Sequence, residues 1–176
     1  MIDLSLSLLE TGLPRYLAML SELSRFKEIP VRTNQNEIVD RLLREETTEN
    51  KGVLAHIGRK RGQSGLFVSR ERDGLQTNMA KFKDDSYAIM EADVADLDAD
   101  DLLFRFTMVQ LELFASLCIG RNRKAIDTLL LDAMQGNRWN LRCPDLIDVV
   151  QDANSPAFYR NVCLRLLDCL YMDREP

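Results

Sequence analysis

Two runs in the last seventy-odd residues dominate the hydropathy pattern. Leu102 to Cys118 is apolar and stops sharply at Gly120-Arg121-Asn122-Arg123, and Phe158 to Tyr171 is apolar and stops at Asp173-Arg174-Glu175-Pro176. In the first run Leu102, Phe106, Val109, Leu113 and Leu117 make one stripe at helical spacing, and Phe104, Met108, Leu111, Ala115 and Cys118 make another. The stripes are offset by two residues, about 200° around a helix, so both sides need cover and only Arg105, Glu112 and Ser116 form a polar strip. In the second run the strip is Asn161, Arg165 and Asp168. Both runs therefore predict helices buried on two sides, as the middle of a helical stack requires.

The remaining elements follow from punctuation. Pro14 opens a helix whose apolar face is Tyr16, Leu17, Leu20, Leu23 and Phe26, and which stops before Ile29-Pro30. Asn34 and Glu37 read as a capping pair opening the next helix, with Gln35 and Asn36 in its exposed first turn and Ile38, Val39, Leu42 and Leu43 on its core face. Gly120 ends the long helix and Asn122 caps its successor, which runs to Gly136. Trp139 falls in the following turn. Pro144 starts a short helix, and Ser155-Pro156 begins the last.

Between these ends the signal is weak. Glu45 to Gly52 is a polar connector, Gly58 to Gly65 is basic and glycine-rich, and Asp93 to Asp101 is acidic. Leu66-Phe67-Val68 is a short strand or a hydrophobic tether. The stretch predicts a long insertion loop with partial helices. The expected organisation is N-terminal helices over 1–46, a loop-rich and partly disordered insertion over 47–100, and C-terminal helices of the same domain over 101–176. The expected fold is all-α, an armadillo-like superhelix of stacked antiparallel helices, resting on helix character and not on a counted repeat.

Composition narrows the function. The net charge of -5 and pI near 5.0 argue against general binding to nucleic acid or anionic membrane. The start of the chain lacks a basic region and carries Asp3, unlike a signal peptide. No stretch reaches the roughly 20 apolar residues of a membrane span. The four cysteines show no paired spacing, and three lie in apolar helical pattern, as expected of reduced cytosolic thiols.

Catalytic and ligand motifs fail in detail. Gly58-Arg59-Lys60-Arg61-Gly62-Gln63-Ser64 is one residue short of a phosphate loop and has Gln63 where the lysine belongs; a solvated basic loop is the plainer reading, with anion or partner-helix binding by Arg59, Lys60 and Arg61 the functional one. Asp96, Asp98 and Asp100 have calcium-loop spacing, but Asp101 replaces the turn glycine and Thr107 the bidentate glutamate; the acids suit a helix N-terminus. His56 is the only histidine, which leaves metal sites and nucleophilic triads without material. No catalytic, cofactor-binding or metal-ligating residue is expected. Arg165 and Asp168, at i and i+3, are placed to pair. These two, with Arg121, Asn122, Arg123, Asp173 and Arg174 at helix ends, are the candidate inter-domain contacts.

Three blocks in order carry a family resemblance. Arg15 to Leu43, above all Tyr16-Leu17-Ala18-Met19-Leu20-Ser21-Glu22-Leu23 and Ile29-Pro30-Val31-Arg32-Thr33-Asn34-Gln35-Asn36, is the first. Gln110 to Ile126, through Leu117-Cys118-Ile119-Gly120-Arg121-Asn122-Arg123, is the second, and Arg160 to Pro176 is the third. Together they resemble the helical homology domain (RIH domain) shared by inositol trisphosphate receptors and ryanodine receptors, leaving out roughly the middle third. The resemblance implies an armadillo-type domain on the cytosolic side of a tetrameric endoplasmic-reticulum calcium release channel, relaying ligand-induced change towards the pore. Its partners would be neighbouring domains or subunits, with no nucleic acid and no membrane insertion by this segment. The sequence has neither pore helices nor the basic ligand-gripping cluster of those receptors, so it is expected to be a fragment or a divergent relative and no ligand residues carry over. The competing expectation is a stand-alone helical-repeat adaptor that binds protein through a groove.

Overall fold

Ala99–Cys118 forms one long helix (α5), and from Asp100 onward none of its residues is exposed. Its start is set by Asp98, whose carboxylate accepts the Asp101 N–H at 2.8 Å, with Asp100 and Asp101 completing an acidic first turn that suits the helix dipole. The computed structural model describes residues 1–27, 29–44, 52–59 and 65–173. Among them, the polypeptide is mostly helical: α1 (Ile2–Leu8), α2 (Pro14–Leu23), α3 (Arg32–Ile38), α4 (Ser86–Glu91), α5, α6 (Arg123–Gln135), α7 (Cys143–Gln151) and α8 (Ala157–Leu167). α3 and α8 continue as wide π-type turns over Val39–Arg44 and Asp168–Met172.

The two-sided burial expected of the first apolar run is present, with an unexpected wall on one flank. α2, α6 and α8 pack against α5, and so do two strands of a three-stranded antiparallel sheet. That sheet is made by β3 (His56–Arg59), β4 (Leu66–Arg70) and β5 (Leu75–Asn78). The fold is therefore not all-α, and the insertion expected to be irregular carries ordered strands. Their signal is thin because each strand is only four or five residues long. One row nonetheless alternates correctly: Ile57 pairs with Val68 and Val68 with Thr77, and all three are buried, one face of a pleated surface. The polar connector at 45–51 and the glycine-rich basic loop at 60–64 lie outside the described residues.

Aromatic contacts fasten the sheet and its flanking turns to α5. Phe82 stacks on Phe104 at 4.4 Å, Arg70 lies over the Phe106 ring at 4.6 Å, and Trp139 meets Phe114 edge-on at 4.8 Å. Gln110 supplies the polar counterpart. Its side-chain oxygen accepts the Ala55 N–H at 2.8 Å while its amide donates to the Ala55 carbonyl at 3.0 Å, replacing a ladder partner for a wholly buried backbone unit. Ile57 donates its N–H to the Arg138 carbonyl at 2.8 Å, so the turn carrying Trp139 covers the edge of β3.

Three further expectations are corrected. The second apolar run is not wrapped on both sides: α8 lies at the outside of the bundle, with Tyr159, Val162, Cys163 and Leu166 inward and Asn161, Leu164, Arg165 and Asp168 exposed. Leu164 made that face look covered, yet it is 50% exposed. Phe26, assigned to the core face of α2, is 66% exposed because the helix ends at Leu23 and a tight hairpin pairs β1 (Arg25–Phe26) with β2 (Ile29–Pro30). Finally, α3 begins at Arg32 and not after Asn34. The Asn34 amide donates to the Leu23 carbonyl at 2.8 Å instead of capping, and Gln35 is fully buried.

Candidate inter-domain contact site

The corner between α5 and α6 gathers several polar contacts between residues far apart in the sequence. A helix leaves its last carbonyls without intrahelical partners, and here a side chain from another helix meets them. The Gln35 amide donates to the carbonyls of Ser116 at 3.1 Å and Ile119 at 3.2 Å. Its side-chain oxygen accepts from the Asn122 amide at 3.4 Å, so Asn122 occupies the cap position of α6 while its side chain serves Gln35. Arg32 donates to the Gly120 carbonyl at 2.6 Å. Gly120 and Arg121 both adopt left-handed backbone, at φ 71° and 58°, and this reverses the chain into α6. Gly120 sits against Pro30: a Cβ there would lie 2.5 Å from the proline Cγ.

The same corner reaches the end of α8. Arg121 holds Asp173 through its Nε at 3.0 Å and a terminal nitrogen at 2.9 Å, and Lys124 is ion-paired with Asp40. The corner thus ties α3, α5, α6 and the turn beyond α8 together. Both partners of the Arg121–Asp173 pair are half exposed, a geometry worth little in stability and open to a neighbouring surface.

A second polar spot lies one turn back on α5, in a notch of about 140 Å³ between α2, α5 and α8. Ser21 donates to Ser116 at 2.8 Å, Arg165 reaches Glu112 at 3.2 Å, and Arg25 pairs with Glu22 at 3.1 Å. Burial pushes the Glu112 carboxyl above its ordinary range, against the opposing pull of Arg165 and Arg25. A carboxyl whose folded pKa is raised favours folding at acid pH and loses that contribution as pH rises through the folded value. Glu112→Gln removes the dependence. The stability of the variant relative to the native chain, read from urea midpoints, is expected to rise between about pH 4 and pH 7; a constant difference would count against the burial argument.

The structure sorts the sequence candidates unevenly. It brings Arg121, Asn122 and Asp173 to one corner. Arg123 is the exposed first residue of α6. Arg165 reaches across to Glu112 and not along its own helix to Asp168, which is exposed on the outer face of α8. Arg174 lies outside the described residues. The sequence reading missed Gln35, Arg32 and the buried position of Ser116. A signal for Gln35 existed: with Ile38 and Leu42 it has the i, i+3, i+7 spacing of the buried face of α3. No family model matches the chain, and no curated protein matches it.

Proposed function

We propose that the chain is a helical domain from the cytosolic part of an intracellular calcium release channel of the inositol trisphosphate/ryanodine receptor type, relaying conformational change between its neighbours. The observation that carries the reading is the meeting of the three resembling blocks. Residues 15–43 supply Arg32 and Gln35, residues 110–126 supply Ser116, Ile119, Gly120, Arg121 and Asn122, and residues 160–176 supply Asp173. Stretches far apart in sequence that share a family pattern and also form one bonded corner are what a common domain requires. The armadillo-type stack belongs to this proposal, with α7–α8 as one antiparallel pair and the helices around α5 as its neighbours. Mechanically, a rod packed on all sides passes displacement on with little absorption, because close-packed interiors have low compressibility. Among the described residues no helix is long and apolar enough to cross a membrane; the endoplasmic-reticulum location and the neighbouring channel domains are inferred from the resemblance alone.

The test uses the protein encoded by the whole reading frame, placed in calcium-loaded microsomes that lack other release channels. Inositol trisphosphate and caffeine are the two probes. One of them is expected to release calcium. Arg121→Glu is expected to reduce the release, and adding Asp173→Arg to the same chain to restore it. Absence of release with both probes, from a protein that reaches the membrane, would remove the channel reading and favour a helical adaptor.

A further inference from the structure

A cleft of about 640 Å³ opens where the ends of the three strands meet the turn between α7 and α8, a volume in the range of small-ligand sites. Arg59 at the end of β3, Leu66 at the start of β4 and Asn78 at the end of β5 belong to one wall. The stretch from Asp148 to Pro156 supplies the other. The deepest residues are apolar: Met79 and Val149 are each 3% exposed, Pro156 is buried, and Leu66 packs against the core. None of the residues of the α5–α6 corner lines this cleft.

The rim sets opposite charges on opposite walls. Arg59 faces Asp148 at 3.9 Å, and both side chains are about two-thirds exposed. That distance is longer than a hydrogen bond, and an exposed pair of this kind adds little stability, so each group can take a new partner at small cost. Asp152 is already engaged: its carboxylate accepts the Asn154 N–H at 2.9 Å and the Ser155 hydroxyl at 3.1 Å. Lys83, beside the cleft, donates to the Asn154 side chain at 3.2 Å. Asn78 accepts the Ala80 N–H at 2.9 Å through its oxygen, and its amide nitrogen is the donor it brings to the wall. A polyphosphate suits this rim poorly, because one guanidinium lines it with two carboxylates. Among the described lining residues none is aromatic, which leaves a nucleobase without a stacking surface. No group of three metal-ligating side chains occurs among the described residues. A small molecule that carries a cation and an anion close together on an apolar body matches both the rim and the floor.

We propose that this cleft binds an apolar zwitterion of the α-amino acid or short-peptide class, held between Arg59 and Asp148. The ligand carboxylate takes the Arg59 guanidinium as a paired, charge-assisted contact, and its ammonium takes the Asp148 carboxylate. The loose Arg59–Asp148 contact opens to admit it, so no buried pair has to be broken. The apolar side chain covers Leu66, Met79 and Val149, which supplies the hydrophobic part of the affinity. The Asn78 amide donates to the ligand carboxylate or, in a peptide, to its first carbonyl. Gln110 already shows within this fold how a side-chain amide serves a peptide unit. The inference does not depend on the channel reading, whose failure in calcium release would leave it standing.

Titration calorimetry on the full chain at neutral pH tests the proposal with leucine, leucyl-leucine, N-acetyl-leucine, leucinamide and glycine as probes. Leucine or leucyl-leucine is expected to bind at one site per chain, and the tighter of the two identifies the source. N-acetyl-leucine lacks the cation and leucinamide lacks the anion, so each should bind at least about tenfold more weakly. Glycine has both charges and no side chain for the floor, and should also be weak. Arg59→Ala and Asp148→Ala are each expected to lower the affinity of the tighter probe about tenfold or more. Both sites are exposed, so the urea midpoint should stay where it is in either variant, which separates lost binding from lost folding. Arg165→Ala, away from the cleft, should bind as the native chain does. No binding of either leucine or leucyl-leucine would overturn the proposal. So would equal binding of N-acetyl-leucine or leucinamide, or full affinity in the Arg59 and Asp148 variants.

Discussion

Replacing Gly120 by alanine is expected to destabilise the fold by about 3 kcal/mol. Left-handed backbone costs an L-residue about 1–2 kcal/mol, and the new methyl meets the Pro30 ring at 2.5 Å, an overpacking worth about 1–3 kcal/mol more. The ring has little room to yield, since β2 is paired with β1 and Arg32, two residues on, grips the Gly120 carbonyl. Gly74→Ala is the control. Gly74 has a similar φ of 64° with nothing within 4 Å of its added Cβ, so only the backbone term applies, about 1–2 kcal/mol. Urea unfolding at unchanged slope reads both. Equal losses in the two variants would show that the contact with Pro30 does not matter.

Gln110→Leu should cost nearly as much, by a different route. Leucine fills most of the volume, so the loss reports the hydrogen bonds. It leaves the N–H and the carbonyl of Ala55 buried without partners, at about 1–3 kcal/mol for each stranded group. The expected total is about 3 kcal/mol. Hydrogen exchange gives a local readout: the Ala55 N–H should exchange much faster in the variant, while amides in the middle of α8 change only with global stability. If protection at Ala55 survives, some other group holds that backbone unit.

How much of this was legible before the structure depends on what each residue answers to. α5 was readable because two offset stripes leave no choice about burial, and α6 and α7 were readable from Gly120, Gly136 and Pro144. The helix start at Arg32 was not. Asn34 and Glu37 have the spacing of a capping pair, but a carbonyl on α2 competes for the Asn34 side chain and wins, which is a tertiary override of a local motif. The strands were nearly silent because three inward residues, Ile57, Val68 and Thr77, are too few for a periodicity to emerge. The expected Arg165–Asp168 pair gave way to Arg165–Glu112, since sequence spacing shows only neighbours on the same helix. Gln35 was misplaced because a buried glutamine looks like any surface glutamine until its acceptors, two carbonyls more than eighty residues away, are known.

The burial of α5 on several sides also sets an order of events during synthesis. By the time α5 emerges from the ribosome, α2 and the strands that shelter one flank have already been made. The flank that α8 and the turn after it will cover has to wait for the last third of the chain. Over that interval a long apolar surface stands open to the solvent, the condition in which nascent chains recruit chaperones or associate with one another. Truncations upstream of α8 should therefore behave as sticky, chaperone-dependent species and not as smaller versions of the same fold.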